Sequence, residues 1–141
     1  MVEISNDDLK ALALFENLTG ASASDILISP KSIVFLVPSE DMGKAIGSKG
    51  ANITKVRQAF SRQILVFEDK PVLEDFIKHI FAPVSIKNIN VHEKNNSKTV
   101  FVSVDEKDRG VAIGRGGDRI KLHRELVMRK FHCDLRLANP R

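Results

Sequence analysis

The feature that most constrains this chain is a gapless internal repeat. Residues 37–57 read VPSEDMGKAIGSKGANITKVR, and residues 104–124 read VDEKDRGVAIGRGGDRIKLHR. Offset by 67 positions, the two segments agree at nine of 21 places: Val37/Val104, Asp41/Asp108, Gly43/Gly110, Ala45/Ala112, Ile46/Ile113, Gly47/Gly114, Gly50/Gly117, Ile53/Ile120 and Arg57/Arg124. A match of that density without a gap points to one unit of about 70 residues used twice. The 141 residues are therefore expected to form two small domains, 1–68 and 69–141, rather than one ordinary domain. The junction Glu68-Asp69-Lys70 is too short to act as a flexible tether.

The elements around each match repeat as well. Ser5-Asn6-Asp7-Asp8 suits a helix cap, with Asp8 as the capping-box acid. Ala11, Leu14, Phe15 and Leu18 follow as one apolar face, and Gly20 ends the helix. Strands are expected at 26–28 and 32–37, a short helix at 39–46, a longer one at 51–60 and a strand at 63–67. In the second half Pro71 is a good first helical residue. The apolar face there is Val72, Leu73, Phe76, Ile77 and Ile80, with a stop at Pro83. Strands follow at 84–91 and 99–104 around the polar turn 94–98, then helices near 107–113 and 118–131 and a strand at 133–137. Each half reads helix–strand–strand–helix–helix–strand. The fold class is α+β, of the α/β sandwich type, with a three-stranded sheet covered by helices on one face.

Each half places Ile-Gly-x-x-Gly-x-x-Ile between two helices, at residues 46–53 and 113–120. Glycine admits turn conformations that other residues resist and lets a ligand backbone approach closely. The helix that follows offers unpaired N–H groups and the positive end of its dipole. That arrangement suits a phosphate. Lys49 in one loop and Arg115 in the other add charge, and the isoleucines pin the turn or floor a base site.

The doubled Ile-Gly-x-x-Gly-x-x-Ile resembles the signature of the KH domain, whose loop clamps about four nucleotides of single-stranded nucleic acid. Two strands before the motif and one after resemble the type II order; the type I order puts two strands after it. Two such units with almost no linker resemble the KH pair of the NusA family of transcription elongation and termination factors, in the short archaeal form. The resemblance implies an RNA-binding set of Ile46, Gly47, Ser48, Lys49, Gly50 and Ile53 in one unit, and of Ile113, Gly114, Arg115, Gly116, Gly117 and Ile120 in the other. The charge beside the motifs adds Arg119, together with Arg57 and Arg124, which occupy equivalent places one helical turn below Ile53 and Ile120; for that pair backbone contact and intramolecular pairing are equally open. Phe35, Val37, Val102 and Val104 are groove or core positions on the adjacent strands. Asp118 would repel a nearby phosphate, with Arg115 and Arg119 expected to compensate.

Composition narrows the alternatives. Net charge is +4, split as −2 over residues 1–69 and +6 over residues 70–141. The second half is thus expected to carry more of the affinity for an anionic partner. Basic residues crowd the second motif at Lys107, Arg109, Arg115, Arg119, Lys121, Arg124, Arg129 and Lys130. Eight Phe with no Trp or Tyr argue against RNA modules built on an exposed aromatic platform. Core packing is expected for nearly all the phenylalanines, with Phe35 the one candidate for base contact. The lone Cys133 and the scattered His79, His92, His123 and His132 give no metal-ligand spacing, so no metal or cofactor is expected. No catalytic constellation stands out, and residues 114–117 lack the Gly-Lys-Ser/Thr of a P-loop. The chain is expected to be a cytoplasmic, non-enzymatic binder of single-stranded RNA with no membrane segment and no small-molecule substrate. RNA polymerase or another transcription protein is a further expected partner. Two alternatives stand beside this reading: a KH factor of ribosome assembly or rRNA processing, and a protein-docking scaffold. In the scaffold the first unit docks a basic protein through Glu3, Asp7, Asp8, Glu16 and Asp25.

Overall fold

The computed structural model describes residues 6–138. Ser5 and Glu3, invoked for the helix cap and the acidic surface, lie outside the described residues. The chain divides into two compact units, residues 1–71 and 72–141.

The first unit opens with α1 (Asn6–Thr19) and a hairpin of β1 (Asp25–Ile28) and β2 (Ser32–Val37). A single 3-10 turn leads into α2 (Met42–Ile46), followed by the glycine loop, α3 (Ala51–Phe60) and β3 (Gln63–Glu68). The sheet order is β1-β2-β3, with β1 antiparallel and β3 parallel to β2. Strand alternation sends Ile33, Phe35 and Val37 to one face. They meet Ala11 and Phe15 of α1, Ala45 of α2, and Ile53 and Val56 of α3 in one core. Leu14 departs from its expected place and lies exposed, because α1 instead buries Ala11, Phe15 and Thr19. Thr19 enters the core because its hydroxyl donates to Phe15 O (2.8 Å) and accepts from Ala21 N (3.0 Å). Phe35 stacks on Phe15 at 4.1 Å between ring centroids and is fully buried, as is Val37. Both are core, and the base-contact role considered for Phe35 is excluded by that burial. All six residues of β2 are buried, so Val34 and Leu36 on the opposite face are as enclosed as the core. Asp69 and Lys70 stay with this unit: Asp69 N donates to Val37 O (2.8 Å), and Lys70 pairs with Glu68 (2.8 Å).

The second unit comprises α4 (Leu73–Phe81), β4 (Ile86–Lys94), β5 (Ser97–Val104), α5 (Glu106–Ile113), α6 (Asp118–Phe131) and β6 (Asp134–Leu137). Its sheet order is β4-β5-β6, again antiparallel then parallel. Pro71 is not the first helical residue. Val72 caps α4 in extended geometry and lies exposed, so the buried face is Phe76, Ile77, Ile80 and Phe81. The β4–β5 hairpin runs longer than its sequence suggests, since β4 continues through His92, Glu93 and Lys94. The chain reverses on Asn95 and Asn96, both at positive φ (52° and 65°). That pair of left-handed residues makes a two-residue hairpin turn, for which asparagine is well suited. Val100 and Val102 are fully buried with Leu126, Val127 and Leu135 in the core. Cys133 is buried just before β6 and donates weakly to Phe131 O (3.4 Å).

One core position sets the units apart. Val56 of α3 corresponds by the 67-residue offset to His123 of α6. His123 is 1% exposed and meets Phe81 edge-on at 4.5 Å between ring centroids. Burial first, and the neighbouring Arg119 charge second, push its pKa down to about 3. It is a neutral core residue at physiological pH.

Candidate nucleic-acid interface

The two glycine loops are built alike. Gly47 (φ 77°, ψ 169°) and Gly114 (φ 79°, ψ 173°) each follow a helix directly and close it with an N–H bond back to Gly43 O (2.8 Å) or Gly110 O (3.0 Å). That backbone region is essentially closed to residues with a side chain. Space forbids one too. A Cβ on Gly47 would lie 2.8 Å from Asn52 N, and one on Gly114 would lie 2.6 Å from Arg119 Cβ. Gly50 and Gly117 are left-handed (φ 74° and 79°) but uncrowded: a Cβ on Gly50 would lie in ordinary contact with Ile53 Cγ2 (3.6 Å), and one on Gly117 would stand in open space. Each donates its N–H to the carbonyl of the first glycine (3.1 Å), which folds the loop into a single tight turn at the foot of the next helix. The third loop position is left-handed in both copies, at Lys49 (φ 53°) and Gly116 (φ 62°). Unit 1 therefore holds a lysine where unit 2 uses glycine.

Behind each loop sits a brace. Asn52 Nδ2 donates to Lys44 O (2.7 Å) and reaches Thr19 O (3.5 Å). Arg119, at the equivalent position, reaches Val111 O (3.4 Å) through one terminal nitrogen, and Phe81 O (3.0 Å) and Ala82 O (2.9 Å) through the other. In both units one side chain from the first turn after the loop ties the helix before the loop to the end of the opening helix. Arg119 is therefore turned inward. Its guanidinium is held by carbonyls of its own unit, which compete with the outward, phosphate-facing role expected for it.

Other expected site residues separate in the same way. Ser48, Lys49, Arg115 and Gly116 are exposed at the loop tips, and Ile46 is about one-third exposed. Ile53 is buried under the first loop, whereas Ile113 and Ile120 are half-buried at the second. Arg57 is exposed, and its side chain makes no ion pair or hydrogen bond among the described residues. Arg124 is paired with Asp134 (3.0 Å). Within the basic cluster, Arg109 donates to Ala138 O (2.6 Å), and Lys130 lies over Phe76 and Phe131 at 5.8 and 5.2 Å. Lys107, Arg115 and Lys121 remain exposed. No residue pattern announces the two braces, because their acceptors are main-chain carbonyls with no residue signature. Val102 is core rather than groove, while Val104 is half-buried.

No helix among the described residues is long and apolar enough to cross a membrane, and no cluster of His, Cys, Asp or Glu there suits a metal ion.

Two α+β units, each with a glycine loop between consecutive helices and a parallel return strand, define a tandem KH-type architecture. Sequence comparison agrees: the KH domain matches residues 12–96, and the NusA-like second KH domain matches residues 73–135. The chain belongs to the KH-domain family, in its NusA-like branch. A Halococcus morrhuae protein named probable transcription termination protein NusA is 36% identical over 94% of this chain and 95% of its own length. A protein of the same name from Halobacterium salinarum is 32% identical over the same shares. A solved structure, described as the crystal structure of APE1850, is 33% identical. It superposes with a TM-score of 0.86 over 96% of this chain and all of its own.

Proposed function

We propose that this chain is a NusA-like transcription elongation and termination factor that binds single-stranded RNA through both Gly-x-x-Gly loops. The observation that carries the reading is the duplicated loop geometry. The first glycine of each loop takes the same otherwise forbidden conformation (φ 77° and 79°), packed against the residue five positions on. Maintaining that shape twice favours a shared task over a plain turn. The exposed loop tips sit at the N-termini of α3 and α6, where helix N–H groups and the dipole favour a phosphate. Lys49 and Arg115 add one cation to each. The names carried by the relatives support the assignment to transcription, and RNA polymerase is the protein partner this role calls for. Residues 70–141, with a net charge of +6 against −2 for residues 1–69, take the larger share of the affinity.

The test replaces Ser48 and Lys49 with Asp in one variant and Arg115 and Gly116 with Asp in another. Binding of a labelled single-stranded RNA is followed by fluorescence anisotropy, with circular dichroism as the control for folding. Each variant is expected to lose about tenfold or more in affinity, the second more than the first, as charge-assisted phosphate contacts are replaced by repulsion. Two well-folded variants that bind like the unaltered chain would falsify the clamp.

A further inference from the structure

The two sheets differ most on the face turned away from the helices. Val100 and Val102 of β5 are fully buried on the helix side, so Phe101 between them points to the other face. Its cross-strand neighbours there are Asn90 on β4 and Arg136 on β6. The corresponding row in unit 1 is Leu27, Val34 and Leu65, with Val34 fully buried. A half-buried aliphatic row centred on the enclosed Val34 in one unit is thus an amide–aromatic–guanidinium row in the other, with Phe101 half-buried and Asn90 and Arg136 exposed.

His92 stands beside Phe101 at 5.2 Å between ring centroids and 79° between planes, which makes a right-angled aromatic corner. The corner belongs to a groove of about 580 Å³ that also takes in Ile120, Arg124 and Arg136. That volume falls in the range of clefts that hold small ligands. Ile120 lies in the first turn of α6, directly below the second glycine loop. The groove therefore starts where the clamp ends and runs past β6 to Phe101. Asp134 fixes both arginines along the way, accepting from an Arg124 terminal nitrogen (3.0 Å) and from Arg136 Nε (2.8 Å). Each guanidinium keeps further N–H groups, and the two side chains are 47% and 60% exposed.

We propose that an RNA strand leaving the second Gly-x-x-Gly loop continues along this groove, with a base stacked on Phe101 and its phosphate held between Arg124 and Arg136. The inference rests on the clamp reading above. The chemistry of the row specifies the occupant: an aromatic face for a base, the Asn90 amide for a base edge, and two aligned guanidiniums for a phosphate. Asp134 acts as a positioning residue, since it spaces the two cations without contacting the strand. Unit 1 has no such extension, because the same row there is aliphatic.

The experiment uses the full chain and oligoadenylate RNA of two lengths, about four and about twelve nucleotides, the shorter filling only the clamp. Phe101→Leu keeps bulk and removes the aromatic face; Phe101→Trp keeps the face and serves as rescue. Phe101→Leu is expected to weaken binding of the longer RNA about fivefold or more, while the shorter RNA binds as before and Phe101→Trp restores affinity. Wild-type affinity of Phe101→Leu for the longer RNA overturns the proposal and assigns this face to another partner. Equal weakening for both lengths overturns it as well, since the effect would then act through the fold. The variant carrying Asp at positions 115 and 116 separates the two readings. If it leaves the shorter RNA unaffected, the clamp fails, whereas a loss confined to Phe101→Leu and the longer RNA still locates the base on the sheet.

Discussion

The two halves are built from one plan, and their differences show which parts of the plan are fixed. Both keep the first glycine of the loop in a conformation closed to other residues, and both brace that loop from behind. They diverge in the core beneath the second loop helix, at the third loop position, and on the outer face of the sheet. Unit 1 has Val56, Lys49 and a buried Val34 where unit 2 has His123, Gly116 and a half-buried Phe101. The backbone shape of the loop is thus the invariant of the repeat, while its side chains and the surfaces around it differ. Charge follows the same division. Arg109, Arg119 and Arg124 are held by groups of unit 2 itself, so the basic cluster beside its loop is partly scaffold.

The largest test of this invariance is at the first glycines. Gly47→Ala and Gly114→Ala each combine a forbidden backbone with a contact below 3 Å, and each is expected to cost about 3 kcal/mol or more. Gly50→Ala and Gly117→Ala meet only the left-handed penalty and are expected to cost about 1 kcal/mol. Urea denaturation measures both, and equal costs at the two glycine positions would break the distinction.

Next in size is an acid sensitivity confined to unit 2. His123 has a folded pKa of about 3 against an ordinary 6.5, so the unfolded chain binds the extra proton first. Its contribution is fully present above pH 6.5 and is lost as pH falls from there towards 3. The expected slope is about 1.4 kcal/mol per pH unit. Val56 gives unit 1 no such dependence. Native-state hydrogen exchange at pH 7 and pH 5 should show α6 losing protection while α3 holds. Transplanting the valine, as His123→Val, should abolish the difference; a persistent difference would assign the acid response to other groups.

The smallest effect concerns the third loop position. Lys49 occupies a left-handed conformation that costs a side-chain-bearing residue about 1 kcal/mol. Lys49→Gly is therefore expected to stabilise unit 1 slightly, and Gly116→Lys to destabilise unit 2 by a similar amount. Thermal unfolding of the two variants sharpens the comparison if the signs are opposite, and breaks it if they agree.

Much of the plan was legible in the residues. The repeat, the element order, and the bounds of β2, α3 and α6 follow from local spacing, because apolar periodicity and glycine are local signals. Burial against a partner element was less legible. Leu14 fits the apolar stripe of α1 yet lies outside, and Phe35 looked available yet sits at the centre of the core. Alternation along a strand says which side chains share a face but not which face is covered. For that reason the enclosed Val34 and the half-buried Phe101 could not be told apart. The direction of Arg119 was hidden for another reason: its partners are carbonyls at the ends of helices, which any residue supplies. The same holds for the candidate site, where the loop residues were readable and the groove beyond Ile120 was not.

The brace has a consequence for how duplicated domains drift apart. Its requirement is set by two points on the main chain, and either a neutral amide or a charged guanidinium reaches them. What positions 52 and 119 share is therefore reach rather than identity. A copy can exchange a neutral side chain for a cation there, altering its field, while the architecture of the loop stays intact.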